Sequence, residues 1–74
     1  MKQLEYTDEP FAANVRAERA RKGITQSQLA ALAGISTGSL NRYETGKAVP
    51  TLANACNIAA ALGVTLDALL KQLD

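Results

Sequence analysis

At three places in this chain a glycine is followed by one apolar residue and then by Thr or Ser: Gly23-Ile24-Thr25, Gly34-Ile35-Ser36 and Gly63-Val64-Thr65. Glycine readily adopts the left-handed conformation that closes a helix, and a Thr or Ser side chain accepts hydrogen bonds at the start of the next one. Each triplet therefore reads as a helix end and a helix beginning with a single residue between them. A chain divided in this way folds as short helices joined by tight turns.

The segments between these divisions agree. Residues 11–22 are rich in Ala, Arg and Glu, with Phe11, Val15 and Arg19 spaced at i, i+4 and i+8 and basic Arg21 and Lys22 in the last turn, all of which favours a helix. Thr25 with Gln28 three residues on is a capping box opening a second helix that runs to Ala33. Ser36 caps a third, running to Glu44 or Thr45. After the loop from Thr45 to Pro50, Thr51 caps a fourth helix over Leu52 to Leu62, with Leu52, Ala55, Ile58, Ala59 and Leu62 as its apolar positions. Thr65 caps a short last helix carrying Leu66, Leu69, Leu70 and Leu73, with Asp67 in its first turn. Residues 1–10 are polar and acidic and end at a proline, so they read as an arm, and residues 11–74 as one five-helix all-α domain. Leu4 and Tyr6 alternate with polar residues, as a short strand would.

Composition then excludes several functions. With 74 residues there is room for one core, and 47% apolar with 20% charged residues is globular rather than disordered. There is no His, and Cys56 is the only Cys, so the chain has neither a disulfide nor a Cys/His zinc site, and Ser27, Ser36 and Ser39 have no imidazole base. Asp8 and Glu9 read as part of a solvated arm, and Cys56, among Ala53, Ala55, Ile58 and Ala59, reads as a small buried hydrophobe. No catalytic constellation or cofactor is expected. No apolar run approaches the roughly 20 residues that cross a bilayer, and a lone Cys suits a reducing cytoplasm.

The net charge of +1 is unevenly placed. From Asn14 to Lys47 there are six basic side chains (Arg16, Arg19, Arg21, Lys22, Arg42, Lys47) against Glu18 and Glu44, an excess of +4. The remainder sums to −3. A segment of this kind can present a positive face while the total stays near neutral.

The third helix has a directional pattern. At about 100° per residue from Leu40, Tyr43 and Glu44 share its side, whereas Gly38, Asn41, Arg42 and Thr45 fall opposite. Small residues at the leading end, Thr37, Gly38 and Ser39, leave a slim front. Asn41 can pair with adenine N6 and N7, and Arg42 can donate to guanine O6 and N7. Gln26, in the first turn of the second helix, lies where free backbone N–H groups attract a phosphate. Gln28 is explained by capping alone.

The run Thr25-Gln26-Ser27-Gln28-Leu29-Ala30-Ala31-Leu32-Ala33-Gly34-Ile35-Ser36, followed by Leu40, Tyr43-Glu44-Thr45-Gly46-Lys47 and Pro50 and later Leu62-Gly63-Val64-Thr65-Leu66-Asp67, resembles the Cro/CI-type (XRE-like) helix-turn-helix family. The resemblance implies a compact five-helix lambda-repressor-like domain and a transcriptional regulator of bacterial or phage origin, a repressor, associated with the nucleoid. It implies a DNA-binding set of Gln26, Ser36, Thr37, Gly38, Ser39, Asn41, Arg42, Thr45 and Lys47, with Lys47 and Thr45 in the loop that follows the sugar-phosphate strand. Gln26 is implied to clamp the backbone and support the first recognition-helix residue, here Thr37. Many relatives carry Gln where this chain has Thr37, which moves the expected base reading toward Asn41 and Arg42. Arg19 and Glu44 match positions that pair inside the fold.

The leucines of the last helix occupy more than one of its faces, so Leu69, Leu70 and Leu73 are expected to meet a second copy of the chain. A homodimer of this kind reads a pseudo-palindromic operator in double-stranded DNA. The alternative reading is an antitoxin-type interaction module that holds a toxin or other protein partner through the arm and the last helix.

Overall fold

The computed structural model describes residues 9–71 and contains five helices among them: α1 (Glu9–Lys22), α2 (Gln26–Ala33), α3 (Thr37–Glu44), α4 (Leu52–Leu62) and α5 (Leu66–Leu70). The caps are those the punctuation predicts. The Thr25 hydroxyl accepts from the Gln28 backbone N–H at 3.0 Å while the Gln28 side chain accepts from the Thr25 N–H at 2.8 Å. Ser36, Thr51 and Thr65 accept from the backbones of Ser39, Asn54 and Ala68. Between α2 and α3 the chain turns within three residues. Gly34 takes φ 72°, and the N–H groups of Gly34 and Ile35 return to the carbonyls of Ala31 and Ala30. A side chain with a Cβ is strained at that φ, so this turn requires glycine.

α1 begins two residues earlier than the periodicity predicts, taking Glu9 and Pro10 into its first turn. Proline is tolerated there because first-turn N–H groups have no intrahelical acceptor. Residues 1–8 of the expected arm lie outside the described residues.

One core joins the helices. Phe11, Val15, Leu29, Leu40, Ile58, Leu62 and Leu69 are fully buried. α2 packs on α3 and α4, while α1 packs on α3, α4 and α5. Asn14 is buried on α1, and its Nδ2 donates to the carbonyls of Leu69 at 2.8 Å and Lys71 at 2.6 Å. These carbonyls lie at the end of α5, where a helix leaves its last C=O groups without intrahelical donors, and one amide serves two of them.

Three expectations are corrected by this packing. Leu69 is 0% exposed; it closes the core beneath α1 and has no surface to offer a second chain, whereas Leu70 is 43% exposed and Leu73 lies outside the described residues. Cys56 is exposed rather than buried: it sits about 110° around α4 from the centre of the buried stripe of Ala55, Ile58, Ala59 and Leu62. Leu52, placed in that stripe by the sequence reading, is 73% exposed because it begins α4 at the edge of the core. Among the described residues no helix is long and apolar enough to cross a membrane.

Candidate nucleic-acid interface

α3 is held from behind by three side chains. Leu40 and Tyr43 are buried in the core, and the Tyr43 hydroxyl accepts from Asn54 Nδ2 of α4 at 2.9 Å. The third is Glu44, a carboxylate only 1% exposed. Arg19 of α1 grips it with two donors, Nε to Oε2 at 2.9 Å and Nη2 to Oε1 at 3.2 Å. Its Nη1 also reaches the Ile24 carbonyl at 3.0 Å. Arg16, one turn earlier on α1, donates to the Glu44 backbone carbonyl. That carbonyl is at the negative end of α3, where a cation is favoured. Burial of a lone carboxylate would be costly, and this fork of charge-assisted hydrogen bonds offsets it.

The opposite side of α3 faces outward. Thr37, Gly38, Asn41 and Arg42 are exposed, as are Thr45, Gly46 and Lys47 just beyond, with Ser39 half-buried. The Ser36 hydroxyl donates to Ser39 Oγ at 2.9 Å, so the outward end retains the Ser39 proton as a donor. A Cβ built on Gly38 meets nothing within 4 Å. The fold therefore does not need glycine at that position, and a helical glycine costs about 0.5–1 kcal/mol relative to Ala. Gly38→Ala is expected to stabilise the domain by that amount in urea unfolding; a loss of stability would mean that Gly38 serves the fold after all.

Thr45 differs from its expected part. Its hydroxyl donates back to the carbonyls of Asn41 at 2.9 Å and Arg42 at 3.3 Å, which finishes α3. In that rotamer it has no proton to give a phosphate. Gln26 differs as well. It is half-buried, and its hydrogen bonds go to Glu44 Oε1 at 3.1 Å and to Asn41 Nδ2 at 3.4 Å. Its partners on α3 are thus Glu44 and Asn41 rather than Thr37, because the Glu44 carboxylate at the far end of the helix draws the Gln26 amide away from the first turn.

The charge on this side is uncompensated. Within the basic middle segment, Glu44 is paired with Arg19, and Glu18 with Arg21 at 3.1 Å. Both acids are thereby engaged, and on this side Arg42 and Lys47 form no ion pair among the described residues. No group of metal-binding side chains occurs among the described residues. Sequence reasoning missed Arg16 and Asn14, whose targets are backbone carbonyls 28 and 57 residues away; nothing in a local pattern marks such partners.

A helix-turn-helix family model matches residues 15–69. Over 51 residues, 66% of this chain and 46% of the relative, the sequence is 45% identical to the cryptic phage CTXphi transcriptional repressor RstR of Vibrio cholerae serotype O1. Over 61 residues, 82% of this chain and 56% of the relative, it is 36% identical to YonR, an SPbeta prophage-derived HTH-type transcriptional regulator of Bacillus subtilis. The chain thus spans about half the length of these curated relatives. Among solved structures, the P22 c2 repressor in complex with a synthetic operator superposes with a TM-score of 0.78 at 27% identity, covering 95% of this chain and 97% of that one. The match begins on α1 and ends on Leu69, taking in the short turn between α2 and α3, the Arg19 to Glu44 pair and the outward row of α3: this chain belongs to the Cro/CI-type helix-turn-helix family.

Proposed function

We propose that this chain is a sequence-specific DNA-binding transcriptional regulator, a repressor, that sets α3 into the major groove of double-stranded DNA. The carrying observation is the two-sidedness of α3: Leu40, Tyr43 and Glu44 are sealed inside while Asn41 and Arg42 stand exposed. A major groove about 12 Å wide admits a helix of this kind, and side chains of these two types can tell base pairs apart by their hydrogen-bond patterns. Lys47 and Gln26 flank the row as phosphate contacts, which set register and account for most of the salt dependence. The relatives named as transcriptional repressor and regulator, and the P22 repressor bound to its operator, support the reading.

The regulator acts as a homodimer on a pseudo-palindromic site, since one domain of this size makes few phosphate contacts and two half-sites are needed for tight specific binding. Leu70 remains available for such a contact, as does the outward face of α4, where Leu52, Ala53, Cys56 and Ala60 are exposed and the whole helix lacks charge. Two copies meeting through an uncharged face bring no like charges together.

Selection of duplexes from a random pool at fixed salt tests this directly. An enriched inverted repeat is expected, whereas an unenriched pool refutes specific binding and a lone half-site refutes the dimer. Against the selected operator, Arg42→Ala and Asn41→Ala should each cost about 1–3 kcal/mol and relax preference at one base pair. Lys47→Ala should weaken binding evenly across sequences and reduce the slope of log K against log salt by about 1. If Arg42→Ala and Asn41→Ala left specific binding intact while Leu70→Ala removed the biological effect, the protein-interaction module would replace this reading.

A further inference from the structure

A continuous line of hydrogen bonds runs from the interior to the exposed row of α3. Glu44, ion-paired with Arg19, accepts from Gln26 Nε2 at 3.1 Å, and Gln26 Oε1 in turn accepts from Asn41 Nδ2 at 3.4 Å. Carboxamides are ordinarily ambiguous, because either end can face a given partner. Here the ambiguity is removed by charge. An ionised carboxylate has only acceptors, so the Gln26 atom facing Glu44 must be the nitrogen. Its oxygen is then the end that faces Asn41, and the Asn41 atom meeting that oxygen must be a nitrogen.

We propose that the buried Arg19–Glu44 pair, acting through Gln26, sets which way round the Asn41 carboxamide is presented, and that Asn41 is thereby specific for adenine. With one N–H held by Gln26, Asn41 keeps a second N–H and its Oδ1 with no partner among the described residues. A donor beside an acceptor in a fixed order is the complement of adenine N7 and N6 in the major groove. Gln26 and Glu44 are positioning residues, because neither needs to touch the base. The Asn41 side chain is already oriented before DNA arrives, so less of its rotational freedom is lost on binding.

This inference rests on the DNA-binding reading above, and its test separates the two. Gln26→Met keeps the length and helix preference of the side chain and removes both amide contacts. In the free protein, the two Asn41 side-chain N–H resonances should be dispersed in the wild type and collapse toward random-coil positions in Gln26→Met; unchanged resonances would overturn the relay whatever the DNA behaviour. With the selected operator, the wild type should prefer adenine at the pair contacted by Asn41. Gln26→Met should reduce that preference about three- to tenfold, beyond any even loss from a missing phosphate contact. In an Asn41→Ala background the same change should leave discrimination at that pair unaltered. Glu44→Gln is a second variant: its carboxamide can offer either a donor or an acceptor, so Gln26 can turn over, and adenine preference should fall in the same way. Should Gln26→Met lower affinity equally for all four bases in both backgrounds, Gln26 is a phosphate contact alone and the proposal fails. Absence of any adenine preference in an enriched operator also overturns it while leaving the DNA-binding reading standing, whereas failure to enrich any operator rejects that reading itself.

Discussion

Arg19→Ala is expected to destabilise the domain by about 3 kcal/mol or more, the range for stripping the partner from a buried charge. Glu44 is 1% exposed and would be left as a carboxylate inside the fold with only the Gln26 amide to meet it. The Arg19 side chain itself is 25% exposed, so water can enter the vacated space, which places the cost at the lower end of that range. Since domains of this length are stabilised by only about 4 to 11 kcal/mol in total, the loss would be plain in urea unfolding. Replacing both partners, as in Arg19→Met with Glu44→Leu, should recover most of it, because the penalty comes from the unpaired charge and not from the absence of an ion pair. A cost below about 1 kcal/mol for Arg19→Ala would instead match a solvent-screened surface pair, and would contradict the burial of Glu44.

Leu40→Ala is the second large effect. Leu40 is fully buried between α1, α2 and α3, so its truncation removes apolar burial and leaves a cavity, at about 2–5 kcal/mol. Its neighbour Asn41 is exposed, and Asn41→Ala should change stability by no more than about 0.5 kcal/mol. Adjacent residues on one helix would then differ several-fold in their effect on folding and in the opposite order in their effect on DNA discrimination. Denaturant titration of both variants gives the comparison, and equal costs would show that α3 is not anchored along its Leu40 face.

Much of the candidate site was legible because its determinants are local. The direction of α3 follows from the spacing of Leu40, Tyr43 and Glu44 at 100° per residue, and the turn before it follows from Gly34 and Ser36. Positions whose fate depends on what lies opposite were misplaced. Leu69 and Leu70 are adjacent leucines with the same hydropathy, yet α1 covers one and not the other. Cys56 neighbours a buried stripe in sequence but lies on the open side of α4. In the same way, Gln26 could be located at the interface from its position on α2, but its choice of Asn41 over Thr37 depends on where the carboxylate of Glu44 sits.

The amino-acid order alone determined where helices start and stop and which edge of α3 is polar, since caps, glycine conformations and a 3.6-residue repeat act within a few residues of chain. Tertiary structure decided which side chains meet across distances of 15 to 57 residues: Asn41 with Gln26, Arg19 with Glu44, and Asn14 with the end of α5. Those contacts depend on how separate helices are set against one another, and that arrangement comes from filling the shared core rather than from any one segment.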